Sequence, residues 1–432
     1  MHPDFRQPVR GMRDLLPDEA WTLRFIEKNA MQLAELYGYE EVITPIIEYY
    51  DLLAAKIGEE NRRRMYVFED LGGRKVALRP EFTASIARLV ATKMASSPKP
   101  IRLFSIGSLY RYDEPQLGRY REFWQANYEL IGSSKPEADA EVLSLTIDFL
   151  EGVGLKDYVL KVNHIGILRS ILGREGMHEE RQNIIMQYLD KKDLDGAIRA
   201  AEEYGVSNKC LKSLKNLFSI KVDDKDEFVK KIGNEVICEY PEAEESLRNL
   251  SDIIDLVKGW VTNAKFYFEA SFARGLEYYT GIIFETYVPE LNIAVGGGGR
   301  YDRLIEIFGG GEIPAVGVAL GVDRIMIAME KQRVNPPKTR RARVLVIPIG
   351  ESNIAEAFKI SAMLRRHNIP AEVEVMRRSL SRALSDASRR NITHTVIVGS
   401  RELSEGKIIL RDMRSETQET IKIEDLLDKI PS

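Results

Sequence analysis

Leu109–Gln125 reads LYRYDEPQLGRYREFWQ. Three arginines, Arg111, Arg119 and Arg121, stand around a turn marked by Pro115 and Gly118, and Phe123 and Gln125 follow on a strand-like stretch. The flanking runs IRLFSIG and EFWQANYELIG are apolar and β-prone, so the segment predicts an antiparallel pair of strands joined by a long arginine-bearing loop. Guanidinium groups match phosphate oxygens bidentately and an aromatic face can stack on a base, which suits a nucleoside triphosphate. A solvated charged hairpin fits the same pattern.

Upstream, the periodicity predicts a helix over about 20–37, with Asp18 as a candidate cap and Gly38 as the stop. YEEVITPIIE then alternates like a strand, and Pro45 makes it an edge or a bend. Residues 65–79 read as a hairpin in which Gly72 and Gly73 supply positive φ, and a helix follows over 81–94. Glu81 and Thr83 sit where that strand becomes a helix. Glu81 is either a helix-start acid or a carboxylate for a cationic group.

Downstream come a helix over about 137–152, the strand YVLKVNHIG, and a charged helical insertion over 174–260. Strands return at KFYFEAS, GIIFETYV and AVGGGG, and a helix is expected over about 301–308. Between them RGLEYYTG, from Arg274 to Gly281, puts an arginine, a glutamate and two tyrosines where a core strand would carry valines. The run Gly296–Gly299 is a flexible loop or a strand packed tightly on a backbone or ligand; it is neither a Walker A loop nor a dinucleotide fingerprint. GVALGVDR sets Arg324 at a helix start after Gly317 and Gly321. A cation there opposes the helix dipole, which points to a site that holds it for an anion.

At 432 residues the chain is too long for a single core. Its net charge of −4 hides an asymmetry: residues 338–432 carry 18 Lys+Arg against 13 Asp+Glu, a net +5, leaving −9 on the rest. VNPPKTRRAR reads as a linker. Beyond it VLVIPIG, AEVEV, HTVIVGS and KIILRDM alternate with helical stretches, predicting a small three-layer α/β domain. Arg378, Arg382 and Arg389 lie there, on helix surfaces that solvent alone would also explain. Cys210 and Cys238 have no CxxC spacing and the five histidines no ligand spacing, so no disulfide framework or structural metal is expected. No apolar run approaches a membrane span, and a cytoplasmic protein is expected.

Taken in order, these motifs resemble the class II aminoacyl-tRNA synthetases, and specifically the histidyl-tRNA synthetase family. YGYEEVITP is similar to the first class II motif, YRYDEPQLGRYREFWQ to the second and GVALGVDR to the third; RGLEYYTG and AVGGGGRYD are similar to the two histidine signatures. The resemblance implies an α/β (α+β) chain: an antiparallel-sheet catalytic domain over 1–332 carrying the helical insertion 174–260, a linker over 333–340, and an α/β anticodon-binding domain over 341–432. It further implies a homodimer formed through the first motif, and substrates L-histidine, ATP with Mg2+, and tRNA(His). Arg111 and Arg274 would act on the α-phosphate as the catalytic pair. Glu81, Thr83 and Gln125 would hold the amino group of histidine, Glu129, Tyr278 and Tyr279 its imidazole end, and Arg274, with Arg111, its carboxylate. Arg119, Phe123 and Arg324 would bind ATP, Phe123 under the adenine and Arg324 at the γ-phosphate. Glu277 stands where the family writes Asp, and Ala319 where some class II chains have glycine. The competing expectation is a non-catalytic paralogue that regulates the ATP phosphoribosyltransferase of histidine biosynthesis; such paralogues lack the last domain and have eroded arginines.

Overall fold

A computed structural model describes residues 6–55, 57–260, 264–274, 278–289, 291, 293–337 and 343–430. They fall into two compact units, 1–336 and 337–432.

In the larger unit the strands are β1 (Glu40–Glu41), β2 (Ile47–Tyr49), β3 (Val67–Glu69), β4 (Lys75–Leu78), β5 (Ile101–Tyr110), β6 (Glu122–Ile131), β7 (Val159–His164), β8 (Lys221–Val222), β9 (Lys265–Glu269), β10 (Ile282–Val288), β11 (Ile293–Arg300) and β12 (Ala315–Gly321). Nine of them form one sheet in the order β1-β5-β6-β12-β11-β10-β7-β9-β8, and β2-β4-β3 form a small second sheet. The run from β5 to β7 is antiparallel throughout. Only the flanks, β1 with β5 and β7 with β9, pair in parallel. β5 and β6 are in register from Ile101–Ile131 to Tyr110–Glu122, so residues 111–121 form the expected loop at the end of a long hairpin.

Helices Pro17–Leu36 and Pro136–Gly152 pack on one another, and Glu244–Trp260 packs on the second. The Tyr128 hydroxyl on β6 donates to the Ala30 carbonyl at 2.8 Å, tying the sheet to the first helix. The insertion is not a detached bundle: Leu214, Phe228 and Ile254 belong to the same buried cluster as the sheet, and its short strand β8 joins the sheet edge. Its charged pattern therefore describes outward faces laid over a shared core. Phe228 packs on Phe268 of β9 with ring centroids 5.4 Å apart, and truncating it to alanine is expected to cost about 3–5 kcal/mol.

Three local expectations need correction. Asp18 is not the cap of the first helix; Leu16 stands there, its N–H taken by the Glu19 carboxylate at 3.0 Å, because Pro17 already occupies the first helical position. In the 65–79 hairpin only Gly73 has positive φ (75°). Gly72 does not, and Asp70 closes that turn by accepting from the N–H groups of Gly72 and Arg74. The helix expected over 301–308 shortens to Leu304–Ile307.

The smaller unit carries β13 (Val344–Pro348), β14 (Ala371–Val373), β15 (His394–Val398), β16 (Lys407–Asp412) and β17 (Gln418–Lys422) in the order β14-β13-β15-β16-β17. Along β13, Val344 and Val346 enter one apolar cluster while Leu345 and Ile347 enter another. The two-residue period of a strand thus feeds cores on both faces, which is what three layers require. Strand β17, exposed along its length except at Ile421, was not among the expected elements.

Candidate active site

Four residues of β6, Phe123, Gln125, Asn127 and Glu129, lie at two-residue spacing and so share one face of the sheet. All four line a cavity of about 310 Å³ in the larger unit. Glu81 and Thr83 reach it from the start of the helix Thr83–Lys93, Arg111 and Arg119 from the hairpin loop, and Arg324 from the start of the helix Val322–Lys331. Arg274, Tyr278 and Tyr279 complete the wall. Every site residue expected from the sequence is therefore brought to one cavity, although the chain separates the outermost by more than 200 positions. Glu277 lies outside the described residues.

At one end of the cavity the groups are polar but water-poor. Glu129 is 1% exposed; Thr83 donates its hydroxyl to one carboxylate oxygen at 2.7 Å, Asn127 its amide to the same oxygen at 3.3 Å, and Tyr301 its hydroxyl to the other. Burial outweighs these bonds and pushes the Glu129 carboxyl up to about 7. Tyr278 packs against Tyr279 and Tyr301, with ring centroids 4.9 and 5.6 Å away, and donates its hydroxyl to Glu81 at 3.3 Å. Burial raises the Glu81 carboxyl too, against the pull of Arg111. The amide oxygen of Gln125 is buried with no partner, an acceptor waiting for a donor.

At the other end, cations converge. Arg111 stacks over the Phe123 ring at 5.2 Å and donates to the Pro80 carbonyl at 2.9 Å. Arg324 donates to the carbonyls of Gly118 at 3.0 Å and Ala294 at 2.7 Å, so it clips the hairpin loop to the mouth of β11. Its hold on its proton is weakened first by burial and then by the neighbouring charges of Arg119 and Arg111. Like charges gathered in a half-buried cleft carry an unfavourable energy that an anion would relieve.

The glycine run is a strand, and its bareness has a local cause. A Cβ on Gly297 would come within 1.7 Å of Arg274 Nη1, and one on Gly298 within 2.1 Å of the Gly317 carbonyl. The Arg274 side chain thus lies across naked backbone, donating to the Phe284 carbonyl at 3.0 Å and facing Glu285 at 3.5 Å. Gly317 plays the same part for Glu129, its register partner: a Cβ there would sit 1.6 Å from a Glu129 oxygen. In GVALGVDR the missing side chain at Gly317 thus makes room for a side chain of the protein itself. Sequence reasoning missed Tyr301 and Asn127. Asn127 could have been found by extending the two-residue alternation from Gln125 to Glu129, and Tyr301 lies within AVGGGGRYD itself.

The antiparallel sheet, the arginine loop at the end of its long hairpin and the arginine at the helix following β12 define a class II aminoacyl-tRNA synthetase. A family model described as histidyl-tRNA synthetase matches residues 11–325, and one described as anticodon binding domain matches 343–432. The histidine--tRNA ligase of Saccharolobus solfataricus is 38% identical over 428 residues, 98% of each chain. The crystal structure of apo S. aureus histidyl-tRNA synthetase is 27% identical and superposes with a TM-score of 0.74 over 98% of this chain and 99% of that one. A Bacillus halodurans structure titled ATP phosphoribosyltransferase regulatory subunit/histidyl-tRNA synthetase has a TM-score of 0.78 over 93% of this chain and 100% of that one; at 23% identity it attests the fold alone. The chain belongs to the histidyl-tRNA synthetase family.

Proposed function

We propose that this chain, a histidine–tRNA ligase, divides its reaction between the two ends of the cavity. In the first step a histidine carboxylate oxygen attacks the α-phosphorus of ATP, the bond to the β-phosphate breaks, and histidyl-adenylate and pyrophosphate form. Arg111 and Arg274 approach the α-phosphate from different elements and stabilise the charge that builds there, without exchanging protons. Phe123 supports the adenine, while Arg119 and Arg324 take the outer phosphates. In the second step a terminal ribose hydroxyl of tRNA(His) attacks the carbonyl carbon, its proton is lost, and AMP leaves.

Histidine is held by chemistry that few amino acids match. Glu81, Thr83 and the unpartnered Gln125 oxygen accept the ammonium group, and Arg274, with Arg111, takes the carboxylate. Glu129 accepts from the imidazole within the tyrosine wall of Tyr278, Tyr279 and Tyr301. An analogue lacking that donor leaves buried groups unpaired, which rejects it by about 10⁴- to 10⁵-fold. Among the described residues no group of three or more acidic, His or Cys side chains forms a metal cage. Mg2+ would be carried by the triphosphate, with Glu285 on the cavity wall as the carboxylate that would add a ligand; the ion would supply neutralisation of phosphate charge.

The chain is assigned catalytic domain 1–332 with insertion 174–260, linker 333–340 and anticodon-binding domain 341–432, the last supported by its net positive charge. A homodimer is favoured by the exposed apolar side chains around β2 and β3, including Ile43 at 88%, Ile47 at 50% and Tyr49 at 57%. Among the described residues no helix is long and apolar enough to cross a membrane. A cytoplasmic site fits a tRNA substrate.

The observation that carries this reading is one cavity in which four arginines, Arg111, Arg119, Arg274 and Arg324, meet a buried acceptor set. Exchange of labelled pyrophosphate into ATP tests it: histidine alone among the amino acids should support exchange. Silence with every amino acid would favour a regulatory paralogue, and exchange with another amino acid a sister synthetase.

A further inference from the structure

The helix Glu179–Asp190 of the insertion is linked to the segment that carries the histidine pocket at two places, through Arg169 near its start and across a shared cavity at its end. Near its start, Arg169 donates to the side-chain oxygens of Gln182 at 3.3 Å and Asn183 at 3.1 Å, and also to the Tyr279 carbonyl at 3.5 Å. Gln182 and Asn183 are buried, and Gln182 is itself fixed by donating to the Met177 carbonyl at 2.8 Å. At its far end, Asp190 lines the main cavity together with Arg274, and also a smaller cavity of about 120 Å³ shared with Glu285 and Tyr287. Twelve helical residues span about 18 Å, so one rigid element reaches both places.

The turn after Asp190 is closed firmly. Lys192 adopts φ 61°, Asp193 donates its N–H to the Tyr188 carbonyl at 2.9 Å, and its carboxylate caps the next helix by accepting from Gly196 at 2.7 Å. The polar tethers of Arg274, the Phe284 carbonyl and Glu285, both belong to β10; the Tyr279 ring lies 5.7 Å from its guanidinium, and its buried Nε has no partner. Burial opposes the Arg274 charge, while Tyr279, Glu285, Tyr278 and Asp190 favour it.

We propose that Asp190 is a positioning residue, which reaches from the insertion to fix the Arg274 guanidinium where the histidine carboxylate arrives. This rests on the carboxylate role given to Arg274 above. The insertion then sets the geometry of amino-acid activation.

Histidinol, which has the imidazole and the amino group but no carboxylate, separates positioning from general loosening. Calorimetry on the full chain should show Asp190→Ala weakening histidine about tenfold, the scale of one charge-assisted contact, with histidinol within about twofold. Asp190→Asn keeps the shape and should behave in the same way if the alanine variant does not fold, and Asp190→Glu should recover part of the loss. Equal weakening of both ligands, unchanged binding, or tighter histidine binding would overturn the proposal. Arg274→Ala is the control. If it discriminates the two ligands and the Asp190 variants do not, only the positioning role falls; if it weakens both equally, the carboxylate role of Arg274 falls and the proposal with it.

Discussion

Glu129 receives hydroxyl donors on both oxygens, yet burial carries its carboxyl from 4.5 to about 7. Between those values the folded chain holds a proton that the unfolded chain has lost. Its contribution to stability is therefore largest below pH 4.5 and declines as the pH rises to 7. Glu129→Gln removes that decline, so denaturant unfolding should find the variant more stable, relative to the parent, at pH 8 than at pH 5; equal differences would contradict the assignment. The same variant should lose about 10- to 100-fold in histidine-dependent exchange, the scale of one hydrogen bond to a charged acceptor. Arg274→Ala should cost about 10²- to 10³-fold in exchange, comparable to removing a preorganised oxyanion donor, while circular dichroism stays that of the parent. Near-normal exchange would take the α-phosphate role from it.

At the scale of elements, strand β11 makes the sharpest case. Gly297→Ala introduces one methyl at 1.7 Å from the Arg274 guanidinium, which must move, whereas the surrounding ladder remains paired. Exchange should fall toward the level of Arg274→Ala with little change in melting temperature, and an active Gly297→Ala enzyme would mean that the guanidinium has another resting place. Much of this element-level plan could be read from residues: the β5–β6 hairpin announced itself through alternation, and its loop through three arginines about a proline and a glycine. The glycine strand could not be resolved in the same way, since a loop and a strand floor demand the same residue for different reasons. β1 and β8, two residues each, are too short to carry a period, and both are set by partners distant in sequence. Asp18 and Gly72 had the right residue types in the right neighbourhood, but Pro17 and Asp70 satisfied the local backbone first.

The two units of the whole molecule each have their own apolar clusters, so a chain ending at residue 337 should keep histidine-dependent exchange. Charging of tRNA(His) by that truncated chain should fall at least tenfold, the minimum expected on losing several phosphate contacts; undiminished charging would refute the anticodon role of residues 341–432. Ile43→Asp, on the exposed apolar surface near β2, should convert a dimer to a monomer in analytical ultracentrifugation, and an unaltered sedimentation coefficient would move the interface elsewhere. The naked backbone beneath Arg274 also limits anyone who would retool this enzyme for a bulkier substrate. That side of the chamber is already built from the smallest residue available, so space must come from the larger side chains packed on it, Tyr279 over Gly299 first, which on the reading proposed above are the groups that would tell histidine from its competitors.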